Sequence, residues 1–158
     1  MTTSNSENDH TNFKLELDTH ANMPVVSMGV YIISKTGKTV DVNSYNPENG
    51  TLHIPIVDAA LQYDDPFTGT THILLDRNAL HIPIMKNHLI SPFILREAGI
   101  KVNAIPKVQI DNPDERDHSL FLTDGNLRIL LTSNSIFSCL DTTRPIAQTL
   151  NECGIYLC

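Results

Sequence analysis

Turn-forming residues cut this chain into short extended runs, and their spacing constrains the fold more tightly than any single motif. Phe13-Lys14-Leu15-Glu16-Leu17 alternates apolar and charged side chains, the pattern of a strand with one buried face. After the turn-like His20-Ala21-Asn22-Met23-Pro24 come Val25-Val26 and then Val30-Tyr31-Ile32-Ile33, β-branched and aromatic as a second strand requires. Thr36-Gly37-Lys38 turns the chain and Thr39 to Val42 extends it again. Asn46-Pro47-Glu48-Asn49-Gly50 has the composition of a loop tip, so a hairpin is expected. Leu52 to Leu61 contains Pro55 and suits an edge strand or a strand end. Asp64 to Gly69 is dense in turn residues, and Thr71 to Leu75 returns as a strand to make a second hairpin.

Asn78 to Ile84 repeats a short extended pattern, and Leu89-Ile90 is a short apolar step leading into the one convincing helix, Ser91 to Gly99. There Ser91 suits the N-cap, Pro92 the first helical position and Gly99 the end. Val102 to Ile110, Ser119 to Leu122 and Leu127 to Leu131 read as three further strands. So many short strands with one helix predict a mostly β fold, a small barrel or sandwich.

The 158 residues suit one domain, and 41% hydrophobic with 18% charged residues is enough apolar material for a packed core. The expected layout is a tail over 1–12, a β domain over 13–145 and a C-terminal tail over 146–158. No apolar run reaches the roughly 18 residues of a membrane span, so no membrane partner is expected. Eleven basic residues against 18 acidic ones give a charge of −7, and the basic residues are scattered singly, which argues against nucleic acid as a partner. The polar, acidic start does not have the form of a secretory signal. Cys139, Cys153 and Cys158 match neither a disulfide framework nor a zinc knuckle and read as reduced thiols of an intracellular, cytoplasmic protein. His20, His53, His72, His81 and His88 lack metal-ligand spacing, so no metal and no cofactor are expected. Ser27, Ser91 and Ser135 lack a nucleophile-elbow context. Glu97 and Asp58 read as solvated charges on a helix and a strand.

The candidate chemistry lies in Leu15-Glu16-Leu17-Asp18-Thr19-His20-Ala21, a carboxylate directly after an alternating strand and before a hydroxyl residue. By itself, a turn residue capping a strand end explains it better. Farther along, Asn87-His88-Leu89-Ile90-Ser91 leads an apolar pair and a small residue into the helix. The order strand-Asp-Thr, two hairpins, apolar pair, small residue and helix resembles that of retropepsin-type aspartic proteases. Asn78-Ala79-Leu80-His81-Ile82-Pro83 followed by Asn87 to Ser91 is similar to the "NVLYVP" and "NLLS" segments of copia-type retrotransposon polyproteins, and LDTHANMPVV to the protease start of diatom-like copia elements. The resemblance spans residues 13–145.

It implies a small closed β-barrel subunit with one short helix, working as a homodimer on a peptide or polyprotein substrate. Asp18 of each subunit would form a catalytic dyad that shares one proton. Thr19 would brace the paired loops. Asn46, Pro47, Glu48, Asn49 and Gly50 would form the tip of a flap over the substrate, and Leu89, Ile90 and Ser91 would pack beneath the site. His20 stands where the family carries Gly, and its side chain either donates to the dyad or points away. Ser91 replaces a Gly of many retropepsins, although the copia pattern itself carries Ser. The alternative function is a catalytically inactive domesticated or relic β domain acting as an interaction module.

Overall fold

A computed structural model describes residues 12–43, 50–152 and 155–157 of the chain. The chain is mostly β, in the order β1 (Phe13–Leu17), β2 (Val25–Val26), β3 (Tyr31–Asn43), β4 (Thr51–Asp64), β5 (Thr71–His81), β6 (His88–Ile90), α1 (Pro92–Glu97) and β7 (Lys101–Asn103). There follow β8 (Ser119–Leu122), β9 (Leu127–Leu130), β10 (Thr132–Asn134), β11 (Phe137–Thr142), α2 (Ala147–Glu152) and β12 (Ile155–Leu157). The main sheet runs β10-β11-β1-β6-β2-β5-β4-β3, with β12 paired to β5, and a second sheet runs β7-β8-β9.

β1 is an interior strand. It pairs antiparallel with β11, Leu15 facing Leu140, and parallel with β6, Leu17 facing Ile90. Its alternation puts Leu15 and Leu17 in a core shared with Val57, Ala59 and Leu61 of β4, Leu74 of β5, Leu95 of α1, and Leu120 and Ile129 of the smaller sheet. At the margin of this core, Phe13 lies so close to Gly29 that a β-carbon there would clash with its ring.

The mostly β expectation holds, but among the described residues the sheet is not closed, so the closed barrel is not seen. Its path ends at β10 and β3, and its curl meets itself at one isolated bridge, where Gln62 and Thr143 exchange two N–H to O bonds of 2.9 Å. Thr143 lies one residue beyond β11, so no ladder propagates from the bridge.

A second helix, α2, adds to the one expected, and residues 146–158, read from the sequence as a tail, also carry β12, which pairs in parallel with β5 from Ile155↔Ile73 to Leu157↔Leu75. Val102 to Ile110 is not a continuous strand. β7 stops at Asn103, and Pro106, which has no N–H for a ladder, leads into a 3-10 turn at Lys107–Gln109. The single chain does contain the expected helix cap. Ser91 Oγ accepts from Phe93 N–H at 3.2 Å, Pro92 opens α1, and Gly99, at φ +84°, ends it in a conformation that suits a residue without a side chain. The side chain of Leu95, almost fully buried, pins α1 to the core.

The Gly29–Phe13 contact is directly testable. Gly29→Ala should destabilise the fold by about 1–3 kcal/mol in urea unfolding, and adding Phe13→Leu should recover part of that loss. A Gly29→Ala protein as stable as the original would contradict this packing.

Candidate active site

Asp18 is the first residue beyond β1, and the parallel partner of that strand holds it. Its N–H donates to Ile90 O at 2.9 Å, continuing the β1–β6 pairing by one bond, while its own carbonyl accepts from Ala21 N–H at 3.2 Å. Its Oδ1 accepts from the His20 N–H at 2.9 Å, so the loop backbone orients the carboxylate. Asp18 is half-buried, whereas Thr19 and His20 are exposed.

The structure therefore joins the Asp18-Thr19-His20 loop to the β6–α1 junction. Leu89 is partly buried and pairs with Val25 of β2, while Ile90 and Ser91 are buried. The expected flap tip falls largely outside the described residues, at Asn46, Pro47, Glu48 and Asn49, and Gly50 faces open space. The hairpin arms are described: β3 and β4 pair antiparallel out to Asn43↔Thr51, and Ile33, Val42 and Leu52 are exposed on them.

Three buried polar groups escape the sequence reading. Glu16, expected on the solvent side of an alternating strand, is buried, and its Oε1 accepts from Asn87 Nδ2 at 3.0 Å and Asn134 Nδ2 at 3.1 Å. Two amides thus satisfy a carboxylate two positions before Asp18. His88 is fully buried, and its Nδ1 accepts from Ser27 N–H at 2.9 Å, which assigns the proton of the neutral ring to Nε2. Burial lowers its pKa to about 4, so it remains neutral over the physiological range. Asp76, opposite Ala59 on β5, is buried with both oxygens lacking a hydrogen-bond partner, and burial raises its pKa to about 7. The signal available for Glu16 was the pair of asparagines, but only the fold shows that they converge on it.

Among the described residues no group of three His, Cys, Asp or Glu side chains is gathered as metal ligands would be. No helix among them is long and apolar enough to cross a membrane. A cavity of about 490 Å³ opens between the end of β4 and strands β9 to β11, lined by Tyr63, Phe67, Leu131 and Thr142, away from Asp18. What the Asp18 loop offers chemically is one ordered, half-exposed carboxylate per chain. Comparison with protein-family models, curated proteins and solved structures finds no match to this chain.

Asp76 and His88 give opposite pH dependences. Asp76 titrates near 3.9 unfolded and about 7 folded, so the stability it permits is full at low pH and is lost as pH rises across that window. His88 titrates near 6.5 unfolded and about 4 folded, so its stability is full above that window and is lost as pH falls through it. Relative to the original protein, Asp76→Asn should therefore gain stability as the pH rises from about 4 to about 7, and His88→Gln should lose stability as it rises from about 4 to about 6.5. His81 and His118, whose pKa values burial also lowers, act alike in all three proteins. Each slope has an upper bound of about 1.4 kcal/mol per pH unit. Urea melts across the range test this, and parallel profiles for the original protein and both variants would contradict it.

Proposed function

We propose that the chain is one subunit of a retropepsin-like aspartic endopeptidase of copia-type retrotransposon origin, a homodimer that cuts polyprotein peptide bonds through Asp18 of both subunits. The observation that carries the reading is the Asp18 loop itself, suspended from the parallel β1–β6 pair, with the carboxylate half-buried and bonded to the His20 amide. A chain that supplies one such carboxylate needs a second copy to complete a dyad. In a two-fold dimer, the same loop meets its own image across the axis.

Two carboxylates at hydrogen-bonding separation cannot both ionise, so the pair holds one proton between them. The ionised member takes a proton from the attacking water, and the protonated member gives its proton to the carbonyl oxygen of the scissile bond. Thr19 braces the paired loops. The β3–β4 hairpin, with Asn46 to Gly50 at its tip, covers an extended peptide and excludes water. In the same reading the curled sheet, bridged at Gln62 and Thr143, serves as the barrel of the subunit. His20 is compatible with this because its backbone amide serves Asp18 while its side chain stays exposed. Activity in acidic to neutral solution and an intracellular, cytoplasmic setting belong to the same proposal.

The second reading, an inactive β module that binds a partner, draws on His20 as well. An imidazole at a position the family keeps free of side chain adds bulk where two loops must approach. Cleavage of casein or a polyprotein, with and without a pepstatin-type inhibitor, separates the two. Asp18→Asn should abolish inhibitor-sensitive cleavage while circular dichroism and melting stay unchanged, because shape and hydrogen bonding survive. Specific activity should also fall on dilution. Cleavage retained by Asp18→Asn would exclude this catalytic assignment, and a folded original protein without activity would favour the module.

A further inference from the structure

The smaller sheet builds a cationic cup that the linear sequence conceals. Lys101, Phe121 and Arg128 are directly cross-strand neighbours on β7, β8 and β9, and Asn103 and Ser119 form the next row on the same face. The Lys101 ammonium lies 5.9 Å and the Arg128 guanidinium 4.8 Å from the Phe121 ring centroid. With Arg116 these residues line a concave opening of about 310 Å³.

Arg128 is held in place. Its Nη1 donates to Ser119 Oγ at 2.9 Å, and that buried hydroxyl donates in turn to Arg116 O at 2.8 Å. The guanidinium is thus fixed by a hydrogen bond below and an aromatic ring beside it, and its other N–H groups have no protein acceptor among the described residues. Neither Lys101 nor Arg128 has a carboxylate within ion-pair distance among the described residues. Arg116 differs, since its Nη2 donates to Asp114 Oδ2 at 2.8 Å. Asp117 accepts from Asp114 N–H at 2.9 Å, and Glu115 and Asp65 line a neighbouring hollow with Arg128.

Two unpaired cations, one of them immobilised, therefore face a shared hollow. Asp114, near enough for the Arg128 charge to help lower its pKa, offsets part of this positive charge, whereas charges beyond about 8–10 Å are largely screened at physiological ionic strength. We propose that this cup is a binding site for a small ligand bearing an oxyanion, phosphate or carboxylate, which bridges Lys101 and the free edge of Arg128. A guanidinium edge matches either oxyanion in a two-point contact. The site is independent of Asp18 and of the protease reading.

The test is an NMR titration of the full chain with inorganic phosphate in one arm and succinate in the other, each compared with sodium chloride at equal ionic strength. Saturable shifts are expected at the amides of Lys101, Phe121 and Arg128. The arm with the tighter constant identifies the oxyanion. Lys101→Met, an exposed change that leaves the core untouched, should weaken binding about fivefold or more, and Arg128→Gln should weaken it at least as much. Asp114→Asn should tighten it, because it removes the rim carboxylate that occupies Arg116. No saturable shift in either arm, or an unchanged constant in Lys101→Met, would overturn the proposal. Should Arg128→Gln fail to fold, Lys101→Met and Asp114→Asn still decide.

Discussion

The candidate site depends on a three-residue parallel pairing between β1 and β6. The chain leaves β1 at Asp18 and returns as β6 only after two long hairpins, so this contact closes a large loop. The entropy of such closure grows slowly with loop length, and burial of Leu15, Leu17, Ile90 and Leu95 in one core offsets it. The register is fixed for the same reason. A slip of one residue would turn Lys14 and Glu16 toward the core and Leu15 and Leu17 away from it. Since Asp18 N–H extends that ladder to Ile90, whatever fixes the register of β1 also fixes the carboxylate.

Much of this was legible locally. Period-two alternation located β1, turn chemistry located both hairpins, and Ser91, Pro92 and Gly99 marked α1. What the sequence hid was long-range. The run from Thr132 to Ser138, polar apart from Ile136 and Phe137, has no strand pattern of its own, yet it makes most of the β10–β11 hairpin, whose fully buried apolar residues, Cys139 and Leu140, come only after it. β11 then becomes the antiparallel neighbour of β1, and the surface pair Lys14–Asp141 at 3.0 Å follows from that register. α2 and β12 were likewise read as tail, because β12 is a short segment whose place depends on the edge β5 offers.

Charge shows the same gap between linear order and space. The basic residues are isolated in the sequence, and cross-strand register assembles Lys101 and Arg128 beside one ring. Buried ionisable groups meet different fates by the same logic. Glu16 receives two amides, whereas Asp76, a few residues into an apolar strand face, receives none. A group in the latter position is carried by the rest of the core rather than contributing to it.

The central claim is that one active site draws one Asp18 from each of two chains, and mixing subunits tests it most directly. Original and Asp18→Asn chains would be combined in equal amounts, exchanged to equilibrium and assayed at fixed total concentration. If only dimers with two aspartates cut, activity falls to about a quarter of the original. A fall to about a half would mean that each chain carries a complete site, and would contradict the account.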